Sequence, residues 1–266
     1  MPVVTNQAKR APPANSPGMA TRVWDSFLTA ADKASLKERP HQVWGFGERP
    51  ALVLIDLYRW VFGDHPQPLL EAMKDWPGSC GLPAWESLPH LQRLLGAARA
   101  AGIPVVHVTG LHQQDSGIVG WAEHPGRTRS EAARASTDPA MADRIKRRFD
   151  IVTEVAPLPG EAVIRKSAPS GFFGTLLMAH LHAHDVDSII LVGESTSGCV
   201  RATCVEGRAY RFKMTVVEEC VFDRHQAPHA MNLFDMHEKY ADVLGVDEVV
   251  AHLQTRSLRP QLTESR

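Results

Sequence analysis

The sequence predicts a three-layer α/β/α protein built on a mostly parallel sheet of about six strands. Three observations predict it. Short apolar runs recur along the chain and are apolar almost throughout, as expected of strands buried on both faces. Stretches with helical spacing lie between them. Several of the runs stop on a polar residue or on glycine, so that chemistry-bearing side chains gather at one edge of the sheet.

Taken in order, residues 1–21 are rich in Pro, Ala and Asn and read as a disordered segment. Residues 22–45 form a helical arm. Its spacing predicts a helix over Trp24–Leu36, with Trp24, Phe27, Leu28 and Ala31 on one face, packing on the domain or on a neighbouring subunit. Residues 46–255 form the main domain, with strands at Ala51–Asp56, Ile103–Val108, Ala162–Arg165, Ser188–Val192 and Met214–Glu218. A sixth is expected as a short edge near Asp150–Thr153 or Asp247–Val250. Helices are expected at Leu88–Ala101, Phe173–His184 and Val200–Phe212, with Gly102 as the C-terminal cap of the first. The polar stretch Gly110–Thr137 reads as a long loop over the site, and residues 256–266 as a flexible tail.

Bulk properties narrow the class. A length of 266 residues suits one α/β domain with a large core. A formal charge of −1 argues against a nucleic-acid partner, which calls for a basic face. No apolar run is long enough to span a membrane, and the N-terminus lacks an apolar signal core. The four cysteines are scattered, which fits a reduced, cytoplasmic setting.

Cys199 carries the chemical argument. It follows the run Ser188–Val192, a glycine and a turn of small polar residues, and it opens a helical stretch. The unpaired N–H groups and positive dipole end at such a position favour thiolate and can hold a developing oxyanion. Asp56 and Lys166 end two other strands, so carboxylate, ammonium and thiol can meet at one crevice. These are the parts of covalent acyl transfer. Plainer readings exist for each: a buried core thiol, a turn-capping aspartate, a surface lysine. The spacing Gly193 to Gly198 also resembles a phosphate loop, but Cys199 and Val200 stand where that loop needs Lys and Ser or Thr. A redox pair with Cys204 is disfavoured, because five helical residues turn through about 500° and separate the two thiols. Cys204 and Cys220 read as core, and Cys80 has no evident role.

Three motifs carry a resemblance: Arg49-Pro-Ala-Leu-Val-Leu-Ile-Asp56, Lys166-Ser-Ala-Pro-Ser-Gly-Phe-Phe-Gly-Thr175 and Gly193-Glu-Ser-Thr-Ser-Gly-Cys-Val-Arg201. Val217–Arg224 and Asn232–Asp235 add to it. Over about residues 40–252 the chain resembles the isochorismatase-like cysteine hydrolases, most closely the N-carbamoylsarcosine amidase branch. The resemblance implies an isochorismatase-like, Rossmann-like fold and a Cys199–Asp56–Lys166 triad that hydrolyses C–N bonds. It implies a cis peptide between Glu194 and Ser195, and an oxyanion hole from the amides of Ser195 and Cys199. It also implies a small carboxylate-bearing amide or N-carbamoyl substrate and a homo-oligomer, with a tetramer among the options. Arginines near Arg224 and Arg201 bind the substrate carboxylate in that branch, and Arg224 matches better; each could instead form a structural ion pair. Thr196, Phe172, Phe173 and Trp60 complete the expected substrate contacts. No metal or other cofactor is expected, because the Asp-x-His pair of the related nicotinamidases is missing downstream of Asp56, where the chain reads Asp64-His65-Pro66. A maleamate-type amidase, a metal-assisted nicotinamidase using His65, His107 or His112, and a non-catalytic binding scaffold are the alternatives. The chain departs from many relatives at Glu194, where they carry a small or apolar residue.

Overall fold

The computed structural model describes residues 21–111 and 125–257. Residues 1–20 and 258–266, most of the expected disordered segment and tail, lie outside the described residues, as do His112 and the loop positions 112–124.

The sheet has six strands, all parallel, in the order β3-β2-β1-β4-β5-β6. They are β1 (Pro50–Ile55), β2 (Val105–Gly110), β3 (Ala162–Lys166), β4 (Ser188–Glu194), β5 (Lys213–Phe222) and β6 (Asp242–Leu244). Every residue of β1 and β2 is buried, which is why both runs read as continuously apolar. Side chains alternate between the faces. Leu52, Leu54, Ile190 and Val192 join one core with α4 (Leu82–Ala100) and α10 (Val246–Ser257). Ala51, Val53, Ile55, Ile189 and Leu191 join the other. That second core is covered by α7 (Leu177–Ala183), α8 (Arg201–Ala209) and α9 (Gln226–Lys239). Each fully buried Leu, Ile or Val contributes about 1.5–3 kcal/mol over an exposed one, so the two cores hold the sheet rigid. The chain winds outward from β1 to β2 and β3, then returns to place β4 on the other side of β1. The β1–β4 boundary is thus the topological switch point, where ligands bind in such sheets.

Several elements differ from expectation. The sixth strand is Asp242–Leu244, at neither candidate position. Ile151 makes only an isolated bridge with Tyr58, and residues 247–250 lie in α10. The arm helix α1 is Ala30–Glu38, while Trp24 sits ahead of it in a turn, buried against His237 of α9. No residue of α1 is buried; a Thr29–Asp32 capping box closes its first turn. Within the expected long loop, Pro125–Thr137 is helical (α5). The remaining helices are α2 (Arg59–Phe62), α3 (Leu69–Asp75) and α6 (Pro139–Arg147). Among the described residues, no helix is long and apolar enough to cross a membrane.

Candidate active site

Asp56 follows β1, Lys166 ends β3, and Cys199 lies in the turn after β4. The structure brings all three together. Lys166 Nζ is 2.8 Å from Asp56 Oδ2 and 3.3 Å from Cys199 Sγ. Lys166 has to cross β2 to reach Asp56, a span of about 10 Å at the usual strand spacing. Its register partner on β2 is Gly110, which has no side chain. Asp56 has a φ of 56°, in the left-handed region that Asp tolerates better than most residues. Both its carboxylate oxygens are shut off from solvent without an aligned hydrogen bond, so the ammonium charge is their main compensation.

The nucleophile turn is a π-type turn, Thr196–Val200, rather than the first turn of a regular helix; α8 begins at Arg201. The Glu194–Ser195 peptide is cis. Gly193 (φ 115°) lies so close to β1 that a Cβ there would sit 1.9 Å from Ile55 O, so no larger residue fits. The turn is held from two sides. Asp223 Oδ2 accepts from the backbone N–H and the hydroxyl of Ser197, at 2.9 and 2.7 Å. Thr196 Oγ1 bonds His229 Nδ1 of α9 at 2.8 Å. Gly198 N and Val200 N both donate to Ser195 O.

The electrostatics correct one expectation. Helix-end N–H groups were expected to favour thiolate at Cys199. Burial instead pushes its thiol well above the ordinary range, Asp56 adds to this, and Lys166 offsets only part. Burial likewise raises Asp56, with Lys166 and Cys199 pulling back. Burial disfavours the charged form of Lys166, yet Asp56 and Cys199 outweigh it and hold the ammonium charged. Two raised acids beside one fixed cation form a cluster that can pass a single proton between sulfur and carboxylate.

The other expected residues divide. Arg224 donates through Nε to Ser79 O and through Nη2 to Gly78 O, at 3.2 and 2.9 Å, which fixes its plane against the loop before α4. Trp60 lies against Gly78 in the same region, edge-on to Trp76. Arg201 is engaged by Asp235 of α9 at 3.0 Å, the structural ion pair weighed for it, though with a different acid. Phe172 packs on Phe212 and Tyr210 in the core, and Phe173 is 68% exposed. Buried Thr196 shares a hydrogen bond with His229. Of the histidines considered for a metal, His65 is exposed and His107 pairs with Glu161 at 3.0 Å, on the β3 side of the sheet. Among the described residues, the one His/Cys/Asp/Glu group spaced for an ion is His41, His237 and Glu238, which shares no residue with the triad. Sequence reasoning gave no role to Cys80, Tyr58 or His229. Asp223 carried a usable signal, since it ends β5 as Asp56 ends β1.

A parallel sheet that gathers a thiol, a carboxylate and an ammonium at its switch point defines an α/β enzyme with the parts for acyl transfer. The chain matches the isochorismatase domain over residues 50–248 and belongs to that family. It is 34% identical to maleamate amidohydrolase of Pseudomonas putida over 84% of this chain and 98% of that one. It is 33% identical to N-carbamoylsarcosine amidase of an Arthrobacter species, over 79% of this chain and 73% of that one. A cysteine hydrolase structure from Pseudomonas syringae pv. phaseolicola 1448A shares the fold, with a TM-score of 0.65 at 20% identity, covering 82% and 99% of the two chains. The protein is thus a hydrolase of non-peptide C–N bonds, an amidohydrolase of the isochorismatase family.

Proposed function

We propose that the protein hydrolyses a small amide or N-carbamoyl compound bearing a carboxylate, through a thioester on Cys199. The observation that carries this reading is the Lys166 ammonium held between Asp56 and Cys199 at 2.8 and 3.3 Å. Substrate binding displaces water and brings a carbonyl carbon to Sγ. The S–C bond forms as the thiol proton passes to Asp56. The amides of Ser195 and Cys199 hold the oxyanion. Asp56 then protonates the leaving nitrogen, the C–N bond breaks, and ammonia departs. Water attacks the thioester, gives its proton to Asp56, and frees the acid and the thiol.

Arg224 and Trp60, beside the loop at Gly78, form the end that receives the carboxylate. The two curated relatives are named for maleamate and for N-carbamoylsarcosine, and both names describe such compounds. The N-carbamoyl amino acid is the leading substrate class, and the short amide acid is the second. A cytoplasmic homo-oligomer that takes no metal or other cofactor completes the reading. It rests on scattered unpaired thiols, an outward-facing α1 and a thiol nucleophile that needs no Lewis acid.

The test is ammonia release across a panel of N-carbamoyl amino acids, short amide acids and their neutral analogues. Cys199→Ala should lose nearly all turnover, while Cys204→Ala and Cys220→Ala keep most of it. Substrate should protect Cys199 from iodoacetamide, and activity should survive dialysis against a chelator. Full activity in Cys199→Ala sinks the covalent route. Loss of activity on chelation, restored by zinc, iron or manganese, returns the nicotinamidase-like alternative.

A further inference from the structure

Glu194 is the last residue of β4, and the mechanism above does not use it. Its strand neighbours are β1, which leads into Asp56, and β5, which leads into Asp223 and Arg224. It therefore stands between the triad and the Arg224 loop. Cys80, fully buried in that loop, donates its S–H to Glu194 Oε1 at 3.7 Å. Burial and the nearby Glu194 raise the Cys80 thiol well above its ordinary range, so it remains a donor. A carboxyl whose Oε1 accepts from a thiol has its other oxygen left to carry a proton. Charged and titratable groups face Glu194 from every side. Asp56 follows β1 and Tyr58 precedes α2. Lys166 ends β3, Cys199 lies in the nucleophile turn, and Asp223 follows β5. Arg224 acts on Cys80 from beyond β5. Burial first, then Asp56 and Asp223, push Glu194 up to about 8, against a smaller opposing pull from Lys166. Near neutral pH the group is thus a neutral acid, and it is only partly shielded from solvent.

We propose that Glu194 is a specificity residue whose protonated carboxyl, oriented by Cys80, donates a hydrogen bond to the carboxylate of the substrate, with Arg224 as the second donor. The inference deepens the reading given under Proposed function and rests on its acidic substrate. A carboxylate beside Asp56, Asp223 and an ionised Glu194 would be repelled. A protonated Glu194 removes one of those charges and supplies a donor in its place. Loss of the proton reverses both effects, so affinity for acids should fall as pH rises.

The test is KM against pH from 6 to 9.5, for maleamate and for its neutral methyl ester, in wild type and in Glu194→Gln. The amide keeps a donor but has no proton to lose. In wild type, KM for the acid should rise roughly tenfold between pH 7 and 9, the span given by one group titrating near 8. KM for the ester should stay level. In Glu194→Gln, KM for the acid should start higher, because an amide is the weaker donor, and should lack the rise. Binding of maleate to Cys199→Ala, measured by calorimetry, should show the same pH dependence and needs no turnover. A rise in KM that persists in Glu194→Gln, or maleate binding that is level from pH 6 to 9, overturns the inference and leaves the substrate class standing. Cleavage of the neutral ester with no binding of maleate overturns the substrate class, and this inference with it.

Discussion

At the residue scale, the central feature is a buried cluster of Asp56, Lys166 and Cys199. Asp56 is buried, lacks an aligned hydrogen bond, and is raised by that burial. A raised carboxyl is a better proton carrier near neutrality than one in water. Asp56→Asn keeps the shape and removes the carrier, so kcat/KM should fall about 10²- to 10⁴-fold, with the circular dichroism spectrum unchanged. A loss under tenfold would mean that another group moves the proton. The cluster could be anticipated from the chain because Asp56 and Lys166 close two expected strands and Cys199 follows a third. The groups that tune it could not. Cys80 reaches Glu194, and His229 reaches Thr196, only through tertiary packing. The sequence argument also overweighted the helix dipole at Cys199, because burial is invisible until the turn is folded.

At the scale of elements, β1, β3, β4 and β5 each lead into a group of the site, and the loops hold it in place. The register between β4 and β5 slips between Leu191 and Gly193. Extra residues on β5 are taken up there, which carries Asp223 to the side of the nucleophile turn. Its carboxylate then binds Ser197 twice. Asp223→Ala should free the turn and lower kcat by about a hundredfold, the scale of a 1 Å misplacement, with a smaller change in KM. Ser197→Ala keeps the backbone bond and should cost less. Equal losses in the two variants would assign the hold to the hydroxyl alone. The five longer strands announce themselves by their apolar runs. The sixth has three residues and begins with Asp242, too short and too polar to show any alternation.

For the whole molecule, the C-terminal end of the arm is tied to the sheet edge through Asp242. Asp242 accepts from His41 Nε2 at 2.7 Å and from the N–H groups of Trp44 and Gly45 at 3.0 and 2.7 Å. Burial alone would raise it, but these bonds outweigh burial and leave it below the ordinary carboxylate value. A depressed acid stabilises the fold above its unfolded value and loses that contribution as pH falls through its folded value. The arm contacts should therefore hold at neutral pH and give way in acid below about pH 4. Asp242→Asn should lower Tm at pH 7, by about 2–4 °C for each kcal/mol lost, and should flatten the fall of Tm in acid. An unchanged acid limb would show that other carboxylates govern it. The strand order has a different consequence. The groups of the site come from positions 56, 166, 199 and 223, and the β1–β4 pairing, which sets Pro50 beside Ser188, closes a long stretch of chain. Such long-range closures are slow steps of folding. No fragment that lacks β1, β3, β4 or β5 can hold the site, so catalysis reports on the assembled sheet. In a refolding experiment, helical signal should return first, and enzyme activity should rise only once β1, β3, β4 and β5 have all docked.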